Sequence, residues 1–218
     1  MVLAAGRGER LRPLTDRIPK PLVALGGKTL IARHLEALSE AGFDQVVINL
    51  AWLGEKIEQS LGDGSRFGLS IAYSHEPPGA LETAGGIIQA LPLLGDKPFL
   101  MISGDVLCAY PLARLRSRPL KAQGHLVMVA NPEHHRHGDF AIDADQRLVH
   151  GPSTLTFSGI AVLDPALFAG LAPGRRALRP VFERAIASGQ LTGEHYRGLW
   201  SDIGTPERLT EAERLLGN

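Results

Sequence analysis

Short apolar runs alternate along the chain with longer amphipathic ones, a pattern that predicts strands separated by helices. Residues 2–5 read as a buried strand, and a polar loop punctuated by Gly and Pro follows as far as Pro21. Across residues 29–41, Leu30, Ile31, Leu35 and Leu38 recur at the spacing of a helix face, with Gly42 as the stop. Residues 45–50 (QVVINL) predict a second strand, 54–61 a helix, 69–74 a third strand and 82–91 a helix. A further buried strand spans 99–102 and ends in Ser103-Gly104-Asp105. The remainder mixes strands at 125–130, 139–142 and 154–163 with helices at 179–188 and 205–216. Such alternation implies βαβ crossovers and an α/β fold, a mostly parallel, doubly wound mixed sheet with helices on both faces. Ligands then bind beyond the carboxyl ends of the strands, which points to residues 6–20, 74–86 and 103–105.

Composition narrows the function classes. The 218 residues carry 23 Lys+Arg against 23 Asp+Glu, and this zero balance argues against a nucleic-acid backbone or an anionic membrane as partner. One cysteine, Cys108, excludes an internal disulfide framework and a multi-cysteine zinc site, and it reads as an inert, half-buried thiol with no fixed His beside it. No uncharged apolar run reaches the roughly 18 residues of a membrane span. The apolar residues 1–6 are too short for a signal segment and run into Arg7, Glu9 and Arg10. The expectation is a cytoplasmic protein, a monomer or weak dimer. It is expected to form one domain over 1–218, with a nucleotide-binding half near 1–110 and a sugar-binding half near 111–218.

The first loop is built for a polyphosphate. Gly6 and Gly8 let backbone N–H groups approach an anion, and Arg7, Arg10, Arg12 and Lys20 bring cations to the same segment. A dinucleotide fingerprint fails because Leu11 stands where its third Gly belongs. A Walker A loop fails because Leu22 stands where the Gly before Gly27-Lys28-Thr29 belongs. The string Leu3-Ala4-Ala5-Gly6-Arg7-Gly8-Glu9-Arg10-Leu11-Arg12-Pro13-Leu14-Thr15, followed by Pro19-Lys20-Pro21-Leu22, resembles the two-part signature of the sugar-phosphate nucleotidyltransferases. These enzymes join a nucleoside triphosphate to a sugar 1-phosphate. The resemblance implies a Rossmann-like, GT-A-type version of the α/β fold. It also implies nucleotide contacts from Leu3, Ala4, Ala5, Gly6, Arg7 and Gly8, with Arg10 and Lys20 catalytic.

Asp105 follows an apolar strand and a Gly, so its carboxylate should project into the ligand crevice, and Asp202 lies in Trp200-Ser201-Asp202-Ile203-Gly204-Thr205 before the last helix. Taken singly, Asp105 also fits a turn, and Asp202 a helix N-terminus with Thr205 as its cap. In the family resemblance both match the aspartates that hold catalytic Mg²⁺, a cation that takes one or two carboxylates plus substrate phosphates and waters. The chain departs from the family in having Ser103 before Gly104-Asp105, and Leu107 to Tyr110 where relatives are more acidic and aromatic.

Leu81-Glu82-Thr83-Ala84-Gly85-Gly86 leads into a helix, with Thr83 as a candidate cap. The stretch resembles the part of the uridylyl-transferring branch that lies against the base, which implicates Glu82, Thr83 and Gly85; the alternative is a capped helix whose glycines merely pack on the sheet. Gly138, Asp139, Ser158 and Gly159 fall in stretches that resemble sugar-lining elements, although an amphipathic hairpin also accounts for them. His134, His135 and His137 do not converge at metal-ligand spacing, while His195 and Tyr196 are further lining candidates. The compact chain most resembles the branch acting on UTP and N-acetylmuramic acid α-1-phosphate in bacterial cell-wall recycling. The alternatives are guanylyl- or thymidylyltransferases for heptose, mannose or glucose 1-phosphate, and a catalytically inactive nucleotide-sugar-binding relative.

Overall fold

The computed structural model describes residues 1–77, 79 and 81–217. Its first half comprises β1 (Val2–Leu3), β2 (Ala24–Leu25), β3 (Lys28–Thr29), α1 (Leu30–Glu40), β4 (Gln45–Leu50), α2 (Gly54–Leu61), β5 (Ser70–His75), α3 (Glu82–Leu94) and β6 (Phe99–Ser103). Then come β7 (Val106–Cys108), the single turn α4 (Ala113–Arg116), β8 (Gly124–Val129), β9 (Ala141–Ile142), β10 (Leu148–Val149) and β11 (Thr156–Leu163). The chain finishes with α5 (Arg179–Ala187), β12 (Leu191–His195), β13 (Trp200–Asp202) and α6 (Pro206–Gly217).

Seven strands form the central sheet in the order β12-β8-β11-β6-β1-β4-β5. All neighbouring pairs are parallel except those of β11, which runs antiparallel to both β6 and β8. The chain steps outward from β1 through β4 to β5, then crosses back to place β6 on the other side of β1. That reversal opens a crevice at the carboxyl ends of β1 and β6.

Strand periodicity explains the two cores. On β6, Phe99 and Met101 enter one apolar cluster while Leu100 and Ile102 enter the other. Successive side chains point to opposite faces, so a strand covered on both must be apolar throughout. One face is closed by α3 (Ala84, Ile87, Ala90) and α5 (Val181, Phe182, Ala185, Ile186). The other is closed by α1 (Ile31, Leu35, Leu38) and α2 (Ile57, Leu61). A smaller cluster ties Leu25 and Leu30 to Ile203 and Ala212, anchoring α6 against the β2–β3 hairpin. Thr29 caps α1 by accepting the Ala32 N–H at 3.3 Å.

Several elements differ from the sequence expectation. β1 stops at Leu3 because the Ala4 N–H turns to Asn49 Oδ1 at 2.9 Å rather than to a neighbouring strand. Only Ala141–Ile142 of the expected strand at 139–142 is a strand, paired with β10. Thr83 does not cap α3; Arg176 O accepts from Ala84 N and Gly85 N at 3.0 and 3.1 Å instead. β12 and β13 have no sequence signal, since LTGEH and WSD alternate too weakly to stand out.

Candidate active site

Three adjoining hollows form one cleft at the carboxyl ends of β1 and β6, and Ser103 lines all of them. The first, about 280 Å³, is walled by Leu3, Ala4, Ala5, Gly6 and Gly8 on one side and by Glu82, Thr83, Lys20 and Asp105 on the others. Its loop owes its shape to Thr15, whose buried hydroxyl donates to Gly8 O at 2.8 Å and whose carbonyl accepts from Trp52 Nε1 at 3.0 Å. Gly8 has φ 67°, and a Cβ there would lie 3.0 Å from Thr15 Cγ2, so glycine suits both the backbone and the space. Glu82 also has positive φ, 57°, and its carboxylate pairs with Arg175 at 2.9 Å.

The two aspartates meet through a ladder. β13 pairs antiparallel with β7, putting Asp202 opposite Val106, and Ile203 N–H donates to Asp105 O at 2.7 Å. Both carboxylates line a second hollow of about 390 Å³ together with Arg10, His134, Ser158 and Gly159. Lys20 Nζ, nearly buried, lies 2.5 Å from Asp105 Oδ2. Asp202 Oδ2 pairs with Arg208. Asp202 Oδ1 is buried with no hydrogen bond; His134 Nε2, 3.1 Å away, is engaged by Arg208 Nη1 at 2.8 Å. An orphaned carboxylate oxygen beside a second carboxylate is a donor set suited to a hard divalent cation. Among the described residues no three His, Cys, Asp or Glu side chains cluster, so phosphates and water would have to complete such a shell.

The third hollow, about 520 Å³, opens from Glu82 and Thr83 towards Asp139, Phe157 and Arg179. Asp139 is held on both oxygens, by Phe157 N–H at 2.8 Å and by Arg179 Nη1 at 3.2 Å. Gly159 sits at a bulge in β11 with φ 83°, its Cα side facing Ser103. Ser158 is fully buried; its hydroxyl accepts from Ile160 N–H and its carbonyl from Trp200 Nε1 at 2.9 Å.

The model of the family described as nucleotidyl transferase matches residues 1–218. The chain belongs to that family. This nucleotidyltransferase is 50% identical over 227 residues to the N-acetylmuramate alpha-1-phosphate uridylyltransferase of Neisseria meningitidis serogroup B, covering 100% of this chain and 97% of that one. The protein of the same name from Caulobacter vibrioides is 32% identical, over 99% of this chain and 96% of that one. Among solved structures, a Bacillus anthracis protein described as a glucose-1-phosphate thymidylyltransferase superposes with a TM-score of 0.88 at 22% identity, covering 98% of this chain and 93% of that chain. HddC from Yersinia pseudotuberculosis superposes with a TM-score of 0.82 at 23% identity, over 99% and 97%. The fold is that of these neighbours, and the chain is an enzyme of the sugar-1-phosphate nucleotidyl-transfer type.

The nucleotidyltransferase brings most of the residues singled out in its sequence into one cleft; among those it leaves out are Arg7, Gly85, Gly138, His195 and Tyr196. Arg7 donates to Thr15 O at 2.8 Å and Asp16 Oδ1 at 2.6 Å and stacks 3.7 Å over Trp52, so its guanidinium braces the loop from outside the cleft. Gly85 packs against the backbone of Gly174 and Arg176, where a side chain would collide, and Gly138 packs against Asn131. Neither lines the cleft. Nor does Tyr196, which meets Tyr110 edge-to-face at 5.2 Å, or His195. Burial pushes the Cys108 thiol up to about 11, leaving negligible thiolate at neutral pH.

Asn49, Glu76 and Arg208, in or beside the cleft, had no individual assignment from the sequence, and His134 was considered only as a metal ligand. Asn49 and Glu76 line the nucleotide-loop hollow, joined by an Asn49 Nδ2 to Glu76 Oε1 bond of 2.7 Å. His134 lines the aspartate hollow, and Arg208 pairs with Asp202 at its edge. The available signals were a polar Asn inside the apolar run QVVINL and, for Glu76, its place in the strand-end loop 74–86.

Proposed function

We propose that the enzyme transfers a uridylyl group from UTP to N-acetylmuramic acid α-1-phosphate and releases pyrophosphate. The observation that carries this reading is the convergence of Asp105, in the turn before β7, and Asp202, on the paired strand β13, in one hollow, with an orphaned Asp202 oxygen, next to the hollow lined by the Gly6–Gly8 loop. The full-length likeness to two proteins named for that reaction supports the choice of substrates.

The attacking sugar phosphate is largely dianionic at neutral pH, because its second pKa is near 6, so the chain need not supply a general base. Its task is to bring two anions together and align them. The Gly6–Gly8 backbone would hold the β,γ-phosphates with Arg10, while Lys20 would neutralise charge near the α-phosphate. Glu82 and Thr83 would face the base, and Asp139, Ser158 and Gly159 the sugar. Mg²⁺ fits the site: Asp105 and Asp202 would hold it, and it would supply Lewis-acid neutralisation of phosphate charge. The substrate implies a cytoplasmic role in reuse of cell-wall sugars, and we assign it to a monomer or weak dimer.

Mg²⁺-dependent pyrophosphate release, measured with UTP, dTTP and GTP against muramyl, mannosyl and glucosyl 1-phosphates, tests the assignment. The highest kcat/KM is expected for UTP with the muramyl substrate. A preference for GTP and mannose 1-phosphate would instead align the enzyme with the mannose-1-phosphate guanylyltransferase of Xenopus tropicalis, 31% identical, of whose length the chain spans 61%. Asp105→Asn is expected to lower kcat by at least about a hundredfold while UTP still binds. Undiminished turnover of that variant in saturating Mg²⁺ refutes the metal assignment.

A further inference from the structure

Arg208 stands in the first turn of α6, where its charge carries three costs. A helix N-terminus disfavours cations, the side chain is only 12% exposed, and a second guanidinium adjoins it. A Cβ at Gly204 would overlap Arg208 Nη2 and lie 3.0 Å from Arg10 Nη2, so Gly204 is the gap into which the Arg208 fork folds back. What offsets these costs is Asp202, whose Oδ2 accepts from Arg208 Nη1. Lys20 serves Asp105 in the same way, on Oδ2 at 2.5 Å.

His134 completes the arrangement. Its Nε2 is 2.8 Å from Arg208 Nη1 and 3.1 Å from Asp202 Oδ1, and both His134 and Asp202 line the aspartate hollow. A guanidinium has only donors to offer, so Nε2 accepts and the ring proton is on Nδ1. Nη1 carries two protons and directs one to each neighbour. An accepting Nε2 cannot donate to Oδ1, which is why that oxygen has no hydrogen bond although a histidine nitrogen lies beside it. Without Arg208, a shift of the imidazole proton from Nδ1 to Nε2 would place an N–H on Oδ1 and tie up the oxygen that a cation needs.

We propose that Arg208 is a positioning residue of the cation site, an inference that rests on the reading of Asp105 and Asp202 as its ligands. Arg208 fixes the Asp202 carboxylate through Oδ2 and, by holding His134 as an acceptor, keeps Oδ1 free of a competing proton. Hydrogen-bond partners that orient a metal-ligating side chain are typically worth about ten- to a hundredfold in metal affinity.

The first measurement is ¹⁵N NMR of histidine-labelled enzyme without metal or substrate, with His134 assigned by the signal absent from His134→Asn. In the parent, His134 Nε2 should resonate as an accepting nitrogen; in Arg208→Met it should move to the position of a protonated, donating one. A side chain that merely stabilised the fold would leave that signature unmoved. The second measurement is Mn²⁺ binding followed by EPR, also without substrate. Gly204→Ala keeps every charge and requires only the flexible ends of Arg208 and Arg10 to shift, so it should fold. Its Mn²⁺ dissociation constant should rise about tenfold. A parent Nε2 already protonated, an unchanged resonance in Arg208→Met, or a Gly204→Ala constant equal to the parent's while Asp202→Asn weakens Mn²⁺, overturns the role of Arg208. Unaltered Mn²⁺ binding in Asp202→Asn instead refutes the cation reading of the aspartates, and the proposal falls with it.

Discussion

Asn49→Leu isolates the polar joint that sets the nucleotide side of the cleft. Asn49 is 3% exposed and works in both directions: it accepts the Ala4 N–H at 2.9 Å and donates to Glu76 Oε1 at 2.7 Å. Glu76 Oε2 in turn accepts the Leu81 N–H at 2.8 Å, so one side chain couples the end of β1 to the start of α3. Leu fills a similar volume but orphans the Ala4 donor, and Ala4 is itself buried. Leaving a buried donor unsatisfied costs about 1–3 kcal/mol. The lost bond to Glu76 adds about 1 kcal/mol at most, since that carboxylate is partly exposed and can turn to water. The expected destabilisation is therefore roughly 1–4 kcal/mol, a Tm lower by roughly 3–12 °C for a chain of this size. KM for the nucleotide should rise, because the backbone of residues 4–8 loses its anchor. Urea unfolding with an unchanged m-value is the assay. A loss below about 1 kcal/mol would mean that water already serves the Ala4 N–H, and the joint would have no structural weight. Asn49→Asp keeps the Ala4 bond but opposes Glu76 with a second carboxylate. Its deficit should shrink as the pH falls and one of the two takes up a proton.

Gly159→Ala faces two costs, a left-handed backbone at φ 83° and a Cβ that would lie 2.7 Å from Ser103 Oγ. Together they should destabilise by roughly 2–4 kcal/mol and displace Ser103, lowering kcat/KM; a Tm within about 2 °C of the parent refutes the close approach. His125 is held at about 4, below its ordinary 6.5, by burial. Between those values the unfolded chain binds a proton that the folded one does not, so stability falls as pH drops through that window and levels off below about 4. The loss is on the order of 3 kcal/mol. His34, buried on α1 and also held at about 4 by desolvation, acts in the same direction. Urea midpoints from pH 7 to 4.5 should show a flatter slope in His125→Gln; parallel slopes would refute the assignment.

Much of the fold was legible because strands buried on both faces must be apolar throughout. Phe99 to Ile102 and the helix face of Leu30, Ile31, Leu35 and Leu38 therefore announce themselves locally. The gathering of the loops was legible from the strand-end rule: Gly6, Gly8 and Lys20 follow β1, Asp105 follows β6, and all four line one hollow. The sequence by itself thus determined the α/β class, the three loops at the strand ends and the pair of distant aspartates. It could not place groups whose partners lie far along the chain. Arg7 reads as a phosphate contact until Trp52 and Asp16 take up its guanidinium. Asn49 reads as one polar residue in a strand until Ala4 and Glu76 close on it. The antiparallel run of β11 and the WSD ladder opposite β7 follow from pairing, which has no local periodicity to betray it. Tertiary structure alone decided which polar atoms were satisfied and which, like Asp202 Oδ1 and His125 Nε2, were left without a partner. Burial makes hydrogen bonding obligatory, and only the packed chain determines what is buried against what.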